Sequence, residues 1–217
     1  MVLRPNAPHV YTVNMDSRQS IIQCALHELE SKGLSGFSLR AVGVAAGLSA
    51  MAIYRHFKNK EDLLRAVGEE AFAAYRQRVA NIPEGPIEEW LRLVGREYVE
   101  FALDDPGRFD ACFVLKTQAE RIYPQDFRAG KSPVISLMAK KIEAAQATGQ
   151  LNSGNALEIA LLLWAQLHGL AMLHRSGRFS LNRNAFLALC DRAIELIIRG
   201  LTCIPTQPSA RTRRQLR

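Results

Sequence analysis

One segment of the chain carries basic side chains with no acidic ones between them. From Ser31 to Asn59 there is no Asp or Glu, while four basic residues are present: Lys32, Arg40, Arg55 and Lys58. Lys60 extends this basic run, and the acidic residues resume at Glu61. Clustered ammonium and guanidinium groups can bind phosphates, and the net charge of +7 favours an acidic partner such as nucleic acid or an anionic membrane surface. The ordinary alternative is a solvated basic face.

Other reactive residue types lack the spacing that catalysis or metal binding requires. The cysteines are scattered, with no Cys-x-x-Cys pair and no clustered histidines: Cys24, Cys112, Cys190 and Cys203. The C-terminal half has no Glu-x-x-His, no His-x-x-x-His and no Gly-rich phosphate loop. We therefore expect no enzyme activity, no catalytic residue, no metal and no cofactor. The alternative from another class is a helical enzyme or a metal-binding helical bundle. Free thiols among apolar residues, as predicted for Cys24 and Cys190, suit a reducing cytoplasm.

The elements that position the basic segment are predicted to be helices. Almost no segment alternates with a period of two, and Gly and Pro fall between helical patterns. A first helix is predicted to begin after Asp16, to end near Gly33 and to bury one apolar side, made of Ile21, Ile22, Ala25, Leu26 and Leu29. The predicted fold class is all-α, and 48% hydrophobic residues are enough for a sizeable core.

Two short helices joined at a glycine follow the first helix. Ser38 is the predicted cap of a helix over residues 39–46, Gly47 is the turn, and Ser49 caps a third helix. Asn59 caps a fourth helix that runs to about residue 81. Such a pair of helices crosses at a steep angle and leaves residues 49–56 as an exposed face, which fits the major groove of DNA. The free amides at the helix starts would hold phosphates.

The remainder of the chain contains further helical patterns and two ends without them. The patterns lie at about 87–104, 106–117, 131–148, 154–175 and 183–201, with an irregular loop over 123–133. The predicted domains are a helix-turn-helix domain over 16–65, continued by a helix to about 82, and a helical domain over 83–203. Residues 1–15 are predicted to form a disordered arm, and residues 204–217 a disordered basic tail.

The segment from Phe37 to Leu64 resembles the TetR family of bacterial transcriptional regulators, of the TetR/AcrR type. The resemblance is carried by Ser38, by Ala46-Gly47-Leu48-Ser49, by Tyr54-Arg55-His56-Phe57 and by Lys60-Glu61-Asp62-Leu63. It covers about residues 17–65. The segment Trp164-Ala-Gln-Leu-His168-Gly169 is similar to a C-terminal domain type in the family that contains a Trp followed by a His-Gly pair.

The resemblance implies a regulator that binds a palindromic operator in double-stranded DNA as a homodimer, and that an effector releases. Its implied fold is an N-terminal three-helix helix-turn-helix domain followed by a C-terminal helical bundle for dimerisation and ligand binding. The residues implied to bind DNA are Ser38, Arg40, Ser49, Ala50, Met51, Ala52, Tyr54, Arg55, His56 and Lys60. Residues 50–52 and Arg40 would read bases, while Ser38, Tyr54, His56 and Lys60 would mainly contact phosphates. Because the recognition helix begins with three apolar residues, contacts with thymine methyl groups gain weight.

The C-terminal patterns predict an interface and a cavity. The helix over 154–175 is apolar on two sides, with Leu157, Leu161, Trp164, His168 and Met172 on one side and Ile159, Leu162, Gln166, Leu170 and Leu173 on the other. Such a helix needs two partners, so a core or interface helix is preferred to a membrane span. The last helix offers a similar stripe of Phe186, Cys190, Ala193, Ile194, Ile197 and Leu201. In this family two such helices from each chain usually make a four-helix interface.

The candidate lining of an effector cavity is mostly aromatic. It consists of Phe101, Phe109, Phe113, Met138, Trp164 and His168, and the effector is expected to be small and mainly apolar. Ordinary core packing is the alternative for each of them. His168 needs a hydrogen-bond partner among its apolar neighbours, which is either a ligand or a protein group. A C-terminal domain that binds a protein partner instead of a small molecule is the other open reading.

Overall fold

The computed structural model describes residues 17–114 and 121–202, so the predicted arm and tail lie outside the described residues. Within those ranges every regular secondary-structure element is an α-helix, in agreement with the predicted all-α class. The helices are α1 Ser17–Gly36, α2 Leu39–Ala45, α3 Ala50–Tyr54, α4 Lys60–Ala80, α5 Ile87–Asp104, α6 Pro106–Phe113, α7 Gln125–Arg128, α8 Pro133–Ala147, α9 Ala156–Arg175 and α10 Arg183–Leu201. An isolated antiparallel bridge joins Leu151 and Thr202.

The described residues divide into two compact units. Unit 1 comprises residues 17–72 and 105–114, and unit 2 comprises residues 73–104 and 121–202. The helix α4 therefore contributes to both units, and α6 belongs to unit 1 although it follows α5 in the chain. The sequence placed the pattern over 106–117 in the C-terminal domain, so the structure divides the chain differently from the predicted boundary.

Unit 1 has its core where α1 packs under the short helices. The predicted apolar side of α1 is fully buried, with Ile21, Ile22, Ala25, Leu26 and Leu29 at most 2% exposed. This core also contains Val42 of α2, Ile53 of α3 and Phe57, which follows α3 in the chain. At Gly33 the backbone leaves helical geometry with a φ of 64°, which confirms the predicted stop near that residue.

Close backbone approach explains why α6 belongs to unit 1. A Cβ atom on Gly107 would lie 2.9 Å from the Cα of Glu30 in α1. A Cβ atom on Gly68 of α4 would lie 2.7 Å from the carbonyl oxygen of Ala111 in α6. Two glycines on different helices therefore let α6 lie directly against α1 and α4, a contact that helical periodicity does not reveal.

Unit 2 is a bundle in which α9 packs against α5, α8 and α10. The line of α9 that is buried consists of Ala156, Ala160, Leu163, Leu167 and Ala171. It runs between the two predicted stripes: the side with Leu157 and Trp164 is half-buried, and on the other side Leu162, Gln166 and Leu173 are exposed. Alanines carry little weight in an apolar pattern, yet they let neighbouring helices approach closely. By length and composition α9 could span a membrane, and in unit 2 it packs against α5, α8 and α10.

The other elements of unit 2 follow the sequence more closely. The bounds of α5 and α10 agree with the predicted 87–104 and 183–201. Of the predicted α10 stripe, Phe186, Cys190, Ala193 and Ile194 are buried, while Ile197 and Leu201 are half-buried. The segment predicted as an irregular loop over 123–133 contains the short helix α7, which buries Phe127. One turn of helix is too short to show a periodic pattern.

Candidate nucleic-acid interface

Two serines fix the starts of α2 and α3. Ser38 has an extended backbone, and its Oγ accepts from the amide of Ala41 at 3.4 Å. Ser49 does the same for the amide of Ala52 at 3.2 Å. Both predicted caps are confirmed, and each satisfies an amide that has no partner within its helix.

The turn between the two helices depends on Gly47. Its φ is 67°, a left-handed conformation that most residues adopt only with strain. The amide of Gly47 donates to the carbonyl of Val44 at 3.2 Å, and the amide of Leu48 donates to the carbonyl of Gly43 at 2.8 Å. The chain therefore reverses tightly between α2 and α3, which the sequence predicted from the glycine.

The helix α3 has one buried side and one exposed side. Ile53 is 1% exposed and anchors α3 in the core of unit 1. On the other side Met51 is 71% exposed and Tyr54 is 51% exposed, so Tyr54 is not a core residue. Arg55 and His56 are also exposed, while Ala52 is half-buried and the side chain of Ala50 lies outside the described part. Arg40 is exposed in the first turn of α2.

The start of α4 is fixed by polar side chains. Asn59 accepts from the amide of Asp62 at 2.8 Å, which confirms the predicted cap. The carboxylate of Asp62 accepts from the amide of Lys58 at 3.0 Å and pairs with Arg65. These bonds, the one from Lys58 first, hold the pKa of Asp62 below its usual range. One of the two acids that directly follow the basic segment is therefore engaged locally.

Lys60 lies against the residue before the α2 cap. Its Nζ donates to the carbonyl oxygen of Phe37 at 3.3 Å and lies 5.2 Å from the centroid of the Phe37 ring. The sequence predicted a phosphate contact for this lysine and did not foresee its bond within the protein. Another cation, Arg18 of α1, makes a similar contact: its guanidinium lies 5.0 Å from the centroid of the Phe57 ring. Arg18 was not among the predicted DNA-binding residues.

The effector candidates divide between the two units. Phe109 and Phe113 lie in α6 of unit 1, where their ring centroids are 5.1 Å apart and Phe113 also meets Phe72. Trp164 and His168 lie in α9 of unit 2 with ring centroids 5.6 Å apart. Phe101 of α5 and Met138 of α8 are buried in unit 2.

The polar partner of His168 is a tyrosine of the same unit. The Oη of Tyr98 and the Nδ1 of His168 are 2.7 Å apart. Burial lowers the pKa of His168, so the neutral imidazole is favoured near pH 7. The ring of Tyr75 contacts that of Tyr98 edge-on and stacks on that of Phe101. The sequence left the partner of His168 open and named neither tyrosine, because these residues are far apart in the chain.

No group of His, Cys, Asp and Glu side chains within residues 17–114 and 121–202 has the arrangement of a metal site. Within those ranges no disulfide joins Cys24, Cys112 and Cys190. Burial raises the pKa of the Cys190 thiol to about 11, so it is a poor nucleophile at neutral pH.

Comparison with known families places both parts of the chain in one group. Residues 21–67 match the profile of bacterial regulatory proteins of the tetR family, and residues 91–197 match that of the tetracyclin repressor-like C-terminal domain. The chain belongs to the TetR family of transcriptional regulators, and its helix-turn-helix is a DNA-binding domain. The names of the family and of its relatives describe regulators and not enzymes.

Individual relatives agree with this assignment. The chain is 26% identical to an uncharacterized HTH-type transcriptional regulator of Mycobacterium tuberculosis over 163 residues, 74% of this chain and 71% of that one. It is 41% identical over 54 residues to the HTH-type transcriptional regulator AcrR of Shigella flexneri, a quarter of each chain (25%).

Solved structures show the same fold. A Rhodococcus sp. RHA1 protein of unknown function has a TM-score of 0.72 and 26% identity, with 90% of this chain and 100% of that one covered. A bacterial regulatory protein in the tetR family from Rhodococcus RHA1 has a TM-score of 0.61 and 18% identity, with 88% and 99% covered.

Proposed function

We propose that the protein is a cytoplasmic repressor that binds a palindromic operator as a homodimer and is released by a small, mainly apolar effector. The observation that carries the DNA-binding part is the two-sided helix α3. Ile53 holds it in the core, while Met51, Tyr54 and Arg55 face outward beside a segment without acidic residues. A helix anchored on one side and exposed on the other can enter the major groove.

The exposed face of α3 divides into two roles. Residues 50–52 would meet base edges, where Met51 and the alanines can contact thymine methyl groups and Arg40 can donate to a purine. Tyr54, His56, Ser38 and Lys60 would contact phosphates and fix the register, with Ser49 and Arg55 beside them. The apolar start of α3 therefore favours an operator with thymine at the positions opposite Met51.

A homodimer is supported by leucines that unit 2 leaves exposed. Leu162 and Leu173 of α9 are 63% and 45% exposed, and Leu196 of α10 is 68% exposed. A palindromic operator presents two half-sites about one DNA turn apart, or a multiple of it, so two reading helices must be held together. Packing these leucines against a second copy would bury them and provide that spacing.

The effector is proposed to bind in unit 2 beside the aromatic residues of α5 and α9. Phe101, Trp164 and His168 supply apolar and aromatic surface, and His168 with Tyr98 supplies polar atoms. Phe109 and Phe113 of α6 lie in unit 1, so they are not part of this proposed site. An effector that releases DNA must bind the DNA-free arrangement more tightly, typically by about 1–3 kcal/mol.

The DNA-binding part is tested by selecting a duplex from a randomised library with the wild-type protein and measuring its binding. Fluorescence anisotropy should show binding that weakens steeply with salt, because phosphate contacts dominate. Tyr54→Phe removes only the hydroxyl, and we expect about tenfold weaker binding, the usual effect of losing one hydrogen bond to a charged group. The matched control is Tyr123→Phe in unit 2, which should leave the affinity unchanged. Selection of no duplex by the wild type would contradict the proposal.

The effector part has its own test. A library of small aromatic and aliphatic compounds is screened for a shift in the affinity of the protein for the selected duplex. A shift that Trp164→Ala abolishes, with DNA binding in the absence of compound unchanged, is the expected result. No shift with any compound, together with a protein that binds unit 2 and alters the affinity, would assign the C-terminal domain to a protein partner instead.

A further inference from the structure

Lys60 connects the start of α4 to the residue that precedes the cap of α2. Its Nζ bonds the carbonyl oxygen of Phe37 at 3.3 Å, and the same ammonium lies 5.2 Å from the centroid of the Phe37 ring. Both contacts lie within unit 1 and bridge residues that are 23 positions apart. Because the bond is made to a backbone oxygen, it constrains the path of the chain into α2.

Phe37 is held from two further directions. Its ring is 6% exposed in the core of unit 1, and its amide donates to the carbonyl of Leu34 at 3.3 Å. The bond from Lys60 thus fixes the remaining backbone polar group of this residue. The next residue, Ser38, caps α2, and Arg40 lies in the first turn of that helix. The position of both proposed DNA contacts therefore depends on how Phe37 is placed.

We propose that Lys60 is a positioning residue for DNA recognition, which holds the start of α2 in register with the start of α4. This role rests on the proposed DNA interface and extends it. An ammonium group has three N–H donors, and one of them is used by the carbonyl of Phe37. The others can reach a phosphate, so a phosphate contact and the positioning role are compatible. The two roles differ in their effect on specificity, because a phosphate contact alone carries no sequence information.

Lys58 provides a matched control. It has the same charge and lies two residues earlier at the same end of α4, and its side chain is exposed. Its backbone amide bonds Asp62, a contact that substitution of the side chain retains. Lys58→Met therefore removes a positive charge near the interface without removing the connection to Phe37.

The test measures discrimination as well as affinity. Dissociation constants for the selected duplex and for a scrambled duplex are measured for the wild type, Lys60→Met, Lys60→Arg and Lys58→Met. For Lys60→Met we expect the ratio of the two constants to fall about fivefold, the lower end of the combined effect of one hydrogen bond and one cation–π contact. Lys60→Arg should keep the ratio, since a guanidinium can donate to the same carbonyl and stack on the same ring. Lys58→Met should keep the ratio while it weakens both duplexes.

Hydrogen exchange on the DNA-free protein gives a second readout. The amides of Ala41 and Val42 should exchange faster in Lys60→Met than in the wild type, while those of Ala25 and Leu26 in α1 stay unchanged. If Lys60→Met does not fold, Lys60→Leu, which also has no hydrogen-bond donor, replaces it with the same expected results. Equal weakening of both duplexes, or unchanged exchange in α2, overturns the proposal. If the wild type selects no duplex, the DNA interface itself fails, and the exchange measurement still decides whether Lys60 holds α2.

Discussion

Unit 1 and unit 2 are both helical, and they are stabilised in different ways. In unit 1, α2 and α3 have seven and five residues, lengths at which an isolated helix is unstable in water. Side-chain caps at Ser38 and Ser49 and a left-handed glycine at Gly47 fix where these helices start and turn, and Asn59 caps α4. The starts and turns of these short helices are therefore set mainly by contacts between residues that are close in sequence.

Unit 2 depends instead on contacts between residues that are distant in sequence. Its main helices have 15 to 20 residues, and polar pairs join them across the bundle. Arg96 of α5 pairs with Asp191 of α10 at 2.8 Å, and Tyr98 of α5 bonds His168 of α9. Small residues such as Gly95 and Ala160 let the helices lie close together. The comparison shows why a short motif predicts the local geometry of unit 1, whereas the packing of unit 2 is seen only in its tertiary structure.

The largest expected effect concerns two adjacent leucines of α9. Leu163 is 3% exposed and Leu162 is 63% exposed. We expect Leu163→Ala to lower the free energy of unfolding by about 2–5 kcal/mol, the usual cost of a cavity in a core. Leu162→Ala should change it by no more than about 0.5 kcal/mol in the monomer.

Urea unfolding at several protein concentrations measures both effects. A dependence of Leu162→Ala on concentration would assign this residue to an interface between copies, in line with the proposed dimer. Equal losses for the two leucines at high dilution would contradict the buried line of α9 described above.

Each unit contains a glycine at which two of its own helices approach closely, and alanine substitutions compare the two sites. A Cβ on Gly68 of unit 1 would meet the backbone oxygen of Ala111 at 2.7 Å, whereas a Cβ on Gly95 of unit 2 would meet Cδ1 of Ile194 at 2.6 Å. A backbone atom cannot turn away as a side-chain end can. We expect Gly68→Ala to cost about 1–3 kcal/mol and Gly95→Ala to cost less.

Gly169 of α9 is the control for both substitutions. No heavy atom outside its own helix backbone and chain neighbours lies within 4 Å of a Cβ built there. Gly169→Ala should therefore stabilise the protein by about 0.5–1 kcal/mol, because alanine is the better helix former. Thermal unfolding of the three variants gives the order. A Gly95→Ala variant less stable than Gly68→Ala would reverse the comparison between the units.

The helix caps of unit 1 should contribute about as much as a single close approach. Ser38→Ala removes the bond to the amide of Ala41, and we expect a loss of about 1 kcal/mol. Ser38→Asp retains a capping acceptor and should retain most of the stability. Urea unfolding compares the two variants, and equal stabilities would show that the cap bond does not hold α2.

Local signals made most of unit 1 predictable from the sequence. The buried side of α1, the caps Ser38, Ser49 and Asn59, and the turn at Gly47 each depend on residues within one or two helical turns. The bounds of α5 and α10 were also predictable because their apolar periodicity is strong. These features place the proposed DNA-contacting residues on the surface before any tertiary contact is considered.

Features that depend on tertiary contacts were not predictable. The buried line of α9 is centred on alanines, which the apolar pattern ranked below the larger residues beside them. The place of α6 in unit 1 depends on glycines in α4 and α6, and the bond from Lys60 to Phe37 spans the whole helix-turn-helix. A helical pattern gives the face of an element, and it does not give the element's partner.

The smallest expected effect is a pH dependence in unit 2. Burial lowers the pKa of His168 from its ordinary value of 6.5, so the folded protein resists protonation there more than the unfolded chain does. Its contribution to stability is therefore complete above the unfolded pKa and declines as the pH falls below it towards the folded pKa. We expect the wild type to lose more stability than His168→Gln between about pH 7.5 and about pH 5.5 in urea unfolding. Tyr98→Phe, which keeps the buried imidazole, should retain most of this dependence because burial is its cause. The same loss in the wild type and in His168→Gln would show that His168 is not the group responsible.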